Sequence, residues 1–145
     1  MMAPHFSVHA VLAASTILGL LSGCGRGRAV EDYVPQSDTA RAALERTLVA
    51  WKKGNPYGTI RDDSPAVDPF DARWQAGEKL ESFTIGEEVP GQQHPHFKVT
   101  IQLEGQEPES NTYLVIGIDP LLVFRDVDYK KATGTGGSPD SSSEM

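Results

Sequence analysis

The sequence predicts an α+β fold: one long N-terminal helix packed on an antiparallel sheet of about four strands, in two layers, with a disordered tail. Three observations carry this. Residues 37–53 repeat apolar side chains at helical spacing between start and stop signals. Residues 97–103 alternate strictly between apolar and polar. Residues 112–118 form a nearly unbroken apolar run of strand length.

The chain has 145 residues, a formal charge of −7 and one cysteine, Cys24. Every Asp, Glu, Lys and Arg lies after that cysteine. The length suits a single small domain. A pI near 5.0 argues against nucleic acid as a partner, because phosphate contacts need clustered Lys and Arg. It argues equally against electrostatic adhesion to anionic lipid. With one cysteine no intramolecular disulfide forms, so packing must supply the stability.

The first element is uncharged. Residues 10–21 (AVLAASTILGLL) are mostly apolar, and small residues Ser22 and Gly23 separate them from Cys24. A bilayer-spanning helix needs roughly 20 apolar residues, whereas a signal-peptide core has about 7–15 and ends in small residues. Leu21-Ser22-Gly23-Cys24 resembles the lipobox of bacterial lipoproteins. The resemblance implies a signal peptide over residues 1–23, cleavage between Gly23 and Cys24, a diacylglyceryl group on the Cys24 thiol and acylation of the new amino terminus. It further implies an exported protein, lipid-anchored in the cell membrane or the outer membrane. Gly25, where Asp would signal inner-membrane retention, favours the outer one. Residues 1–9 depart from the family pattern in holding no Lys or Arg, only His5 and His9. The competing reading is a buried apolar helix around a packed cysteine. Gly19, Gly23, Gly25 and Gly27 count against it, since glycine weakens a helix. Acyl chains contribute about 0.8 kcal/mol per buried CH₂, so several together hold a domain firmly. The anchor at Cys24 is the expected membrane contact.

Residues 24–36 lack apolar periodicity and read as a lipidated tether, in which Arg26 and Arg28 either touch head groups or only keep the linker soluble. The helix follows. Ser37 is placed to cap it, and Asp38 suits the positive end of the helix dipole. Ala40, Ala43, Leu44, Thr47, Leu48 and Trp51 form one stripe. Lys52 and Lys53 complement the carboxyl end, Gly54 suits the position after it, and Pro56 prevents continuation.

Residues 55–77 read as an acidic, irregular connection holding Asp62, Asp63, Asp68 and Asp71 among Gly58, Pro65 and Pro69. Asp68 is expected to cap a short helix over residues 69–76 that buries Trp74 and ends at Gly77. Residues 80–89 are β-rich, with Phe83 and Ile85 on one face. Residues 97–103 read as a half-buried antiparallel strand and 112–118 as a central one. Asp119-Pro120 breaks the chain before a last strand over 121–129, and segments 90–95 and 105–111 are short enough for hairpins. Residues 130–145 are rich in Gly, Ser and Thr and are expected to be disordered. The domain then spans residues 37–129. Its element order resembles the cystatin-like and NTF2-like group, in which a curved sheet wraps a long helix. The chain also resembles short bacterial lipoproteins that pair such a helix with a segment like Trp74-Gln75-Ala76-Gly77 and a closing apolar strand pair.

Candidate chemistry is sparse. His94 and His96, two apart, would share a face on a strand and could share a metal. Pro95 between them indicates a turn, and no sequence neighbour completes a ligand set. The four aspartates lack the alternating spacing and the Gly and Glu of an EF-hand loop. No metal or cofactor is expected. Trp51, Tyr57 and Trp74 either fill the core or line a helix–sheet pocket. In NTF2-like enzymes such a pocket relies on an Asp or His of perturbed pKa, and His96 and Asp119 are the candidates that strand placement permits. The chain has no Gly-x-Ser-x-Gly elbow, phosphate loop or His-Glu-x-x-His. Gln102-Leu103-Glu104-Gly105 departs from the Gln-x-Val-x-Gly loop of cystatin inhibitors.

The expected function is therefore that of a membrane-anchored envelope lipoprotein with a non-enzymatic domain. That domain would bind an envelope protein or stabilise an assembly, through an edge strand or the polar face around Lys98, Thr100 and Gln102. The alternative is a small-molecule-binding or catalytic NTF2-like domain with a helix–sheet pocket.

Overall fold

Helical signals between Ser37 and Lys53 are realised as α1, Ser37–Lys52, whose stripe from Ala40 to Trp51 is buried. This computed structural model describes residues 30–135. The leader, Gly23, Cys24 and most of the tether lie outside the described residues, as does the tail from residue 136. The start of α1 differs from expectation by one position. Gln36 is the N-cap and makes no side-chain cap bond, and Ser37 is already helical. Asp38 instead accepts the Thr39 N–H at 2.8 Å. Thr47 is buried with its hydroxyl satisfied, donating to Ala43 O at 2.9 Å. Helix α1 stops where Gly54 adopts φ 79°.

Next comes a strand, β1 (Val67–Phe70), then a single helical turn, α2 (Ala72–Gln75). This corrects the helix expected over residues 69–76. Val67 exchanges both backbone bonds with Ile60, and β1 pairs in parallel with the last strand of the sheet. Pro69 lacks an N–H, which an edge strand tolerates. The cap shifts accordingly, from Asp68 to Asp71, whose side chain accepts the N–H groups of Arg73 and Trp74.

Strands β2 (Leu80–Glu88), β3 (His96–Leu103), β4 (Glu109–Ile116) and β5 (Leu121–Arg125) follow as an antiparallel meander. With β1 the sheet has five strands, is mixed rather than antiparallel, and runs β1-β5-β4-β3-β2. The final strand ends earlier than expected, at Arg125, and Asp126–Thr133 forms α3. Acidic residues in its first turn and Lys130 and Lys131 in its last suit the helix dipole. Ion pairs Arg125–Asp128 and Lys130–Asp126 brace it, and Gly134 closes it at φ 69°. Residues 130–133 are thus helical and belong to the domain.

Alternation along β3 sorts the two faces. Phe97, Val99, Ile101 and Leu103 are buried beneath α1 with Leu44, Leu48, Tyr113 and Val123, while Lys98 and Thr100 are exposed. Complete burial of each such side chain contributes about 2 kcal/mol. On the opposite face α3 packs on β4 and β5. There Phe124 stacks on Phe70 and meets Tyr129 edge-on. The β2–β3 half of that face stays polar.

Candidate functional site

Trp51, in the last turn of α1, and Trp74, in α2, are stacked with ring planes 17° apart and centroids 6.0 Å apart. Tyr57 meets Trp74 edge-on at 5.7 Å. Each polar tip is satisfied by backbone. Trp51 Nε1 donates to Glu78 O at 2.7 Å, Trp74 Nε1 to Asn55 O at 3.1 Å, and the Tyr57 hydroxyl to Pro69 O at 2.8 Å. Both indoles are buried, and buried indoles with paired N–H groups behave as core. Open clefts of about 490 and 570 Å³ flank the pair, and Trp74 contributes to both. One is bordered by Lys52, Lys79 and Glu104, the other by Arg46, Arg61 and Asp62. Burial raises the Tyr57 pKa, with Asp71, Asp128 and Asp68 adding to the effect.

His96 and Asp119 lie elsewhere. His96 opens β3, with Nδ1 2.6 Å from the His94 carbonyl oxygen. It borders an outer-face groove of about 440 Å³ with His94, Lys98, Thr112, Tyr129 and Lys130. Burial, then the neighbouring His96, holds His94 below its ordinary pKa. Asp119 sits in the β4–β5 turn, beside a depression shared with Tyr33, Ile118 and Leu122. The fold therefore joins Trp51 to Trp74 and places His96 and Asp119 in two other depressions. Among the described residues no group of three or more His, Cys, Asp or Glu is arranged to hold a metal.

The four aspartates of the acidic connection have separate surroundings. Asp62 pairs with Arg46 at 2.6 Å, and that hydrogen bond draws its pKa down. Asp63 accepts the Ser64 N–H. Asp68 keeps one carboxylate oxygen buried without a hydrogen-bond partner. Asp71 is the centre of a network that sequence reasoning missed.

Asp71 Oδ2 accepts the Tyr113 hydroxyl at 2.6 Å, while Oδ1 accepts Arg73 N at 2.9 Å and Trp74 N at 3.3 Å. Asp128, from α3, accepts Ala72 N at 3.0 Å and is gripped by Arg125 at 2.9 and 3.1 Å. Two carboxylates thereby satisfy the first three N–H groups of α2. Burial, reinforced by Asp71, pushes Tyr113 well above the usual phenol range. Burial also pushes Asp128 upward, but its bonds from Arg125 and Ala72 outweigh it and the net shift is down. Asp71 just before Ala72-Arg73-Trp74 is a readable cap signal. Its bond to Tyr113 leaves no local trace.

Two sheet surfaces remain for partners. Arg41 donates to Gly86 O at 2.8 Å and Ile85 O at 3.0 Å, which occupies carbonyls on the outer edge of β2. On the outer face Thr84, Thr100 and Ser110 stand in register across three strands, with Lys98 beside Thr112. This patch is rich in hydroxyls, and Thr84, Lys98, Thr100 and Ser110 are exposed. No described helix is long and apolar enough to cross a membrane. Comparison with protein-family models, curated proteins and solved structures finds no match for the chain.

Proposed function

We propose that the chain is an exported lipoprotein, anchored through acyl groups on Cys24, whose α+β domain is a non-enzymatic binding module for another envelope protein. The observation that carries this reading is the packing of Trp51 against Trp74. Both rings are buried and both indole N–H groups are bonded to backbone, so the aromatic residues serve the core. His96 and Asp119 stand away from them. Of the two surfaces available for contact, the β2 edge is partly occupied by Arg41, whereas the face carrying Lys98, Thr100 and the half-buried Gln102 is open. That face is the proposed contact.

One observation favours a small-molecule function instead: the paired clefts beside Trp74 have volumes in the range of ligand sites. A native mass spectrum of protein gently extracted from membranes separates the two. A mass beginning at an acylated Cys24 with a stoichiometric protein partner, lost in a Lys98→Glu, Thr100→Glu variant, is the expected result. A bound small molecule in place of the partner transfers the function to the clefts. An unprocessed mass overturns the lipoprotein reading.

A further inference from the structure

The chain enters the domain beside the β4–β5 turn. A 3₁₀ turn, Val30–Tyr33, comes first, and Tyr33 O accepts the Gly117 N–H at 2.8 Å. Tyr33 and Ile118 are 43% and 50% exposed, two of the large apolar side chains that the described residues leave open to solvent. They border one depression with Pro120 and Leu122. Sequence adds a length. Cys24 precedes Val30 by six positions (30 − 24), and a fully extended chain covers at most about 3.6 Å per residue, or roughly 20 Å.

We propose that this end of the domain rests on the bilayer, with Tyr33 and Ile118 in the interfacial layer and the acyl anchor beside them. The inference rests on the Cys24 anchor proposed above. A tether of that length holds the patch at high effective concentration against lipid, so a small apolar area is enough for contact. Tyrosine suits the site because its ring enters the apolar boundary while its hydroxyl stays among head groups. Asp32 and Asp119 flank the same depression. The Asp119 carboxylate stays in head-group water, which limits insertion to the two side chains and favours zwitterionic over anionic lipid. The opposite pole is the β3–β4 turn, one length of the eight-residue β4 away, or roughly 26 Å.

Acylation of Cys24 consumes the only thiol, so a cysteine introduced elsewhere can be labelled alone. Lipidated Ile118→Cys and Glu107→Cys proteins would each carry an environment-sensitive dye in phosphatidylcholine vesicles, with the intact mass recorded. The expected result is a blue-shifted emission at 118, with iodide quenching severalfold weaker than at 107 in the exposed β3–β4 turn. Equal quenching at both sites with an acylated mass overturns the inference and leaves the anchor standing. A mass without acyl chains overturns the anchor and, with it, this inference.

Discussion

The Tyr113 hydroxyl donates a 2.6 Å hydrogen bond to Asp71 Oδ2 across 42 positions of chain, and both residues are buried. This bond ties the centre of the sheet to the cap of α2 and so fixes where Trp74 meets Trp51. A bond to a buried charged acceptor is worth about 1.5–3 kcal/mol. Tyr113→Phe should therefore destabilise the domain by about 2 kcal/mol. Asp71→Ala should cost about 3 kcal/mol, because it also removes a helix cap. The double variant should show a coupling of about 2 kcal/mol in urea unfolding, and additive losses would show that the contact contributes nothing.

Stability should form a plateau bounded on both sides by pH. Asp62 and Asp128 titrate below the ordinary carboxylate value. Their contribution is complete above the unfolded value of about 3.9 and disappears as pH falls through the lower folded values. Tyr113 is shifted the other way. Its contribution is complete below the unfolded value of about 10 and fades as pH rises towards its folded value. Melting temperature against pH should show both limbs, with the alkaline one flattened in Tyr113→Phe.

Arg41→Ala should leave monomer stability within about 1 kcal/mol of wild type, as surface side chains usually do. It should nonetheless promote association, because it uncovers the Ile85 and Gly86 carbonyls on a sheet edge. Sedimentation velocity over a range of concentrations checks this. A strictly monomeric variant would show that Arg41 does not guard the edge.

Gly117→Ala and Gly54→Ala separate two costs of a left-handed glycine. Gly54, at φ 79°, has open space where a Cβ would stand, whereas Gly117, at φ 87°, would place a Cβ 2.9 Å from Pro120 O. The first should cost about 1 kcal/mol from backbone strain alone. The second should cost roughly twice that and loosen the Gly117–Tyr33 bond. Thermal unfolding and amide exchange at position 117 measure the difference.

Sequence alone determined the elements whose signals are local. Helix α1 is legible because stripe, dipole charges and stop signals fall within one stretch. Strand β3 is legible because a period of two specifies which side chains face inward. The aromatic pair Trp51 and Trp74 was legible as candidate core, and the position of Asp71 before α2 could have been read as a cap. Tertiary structure decided the rest. Residues 67–70 became a strand because β5 presented a free edge, which no local pattern reveals. Residues 126–133 carried helical charge signals, but Val127 and Tyr129 continue the alternation of β5 and masked them. Asp71 meets Tyr113, and His96 parts from Trp74, because the pairing register brings together residues far apart in the chain. Periodicity records a residue's immediate neighbours; contacts between distant segments are set only when the sheet assembles.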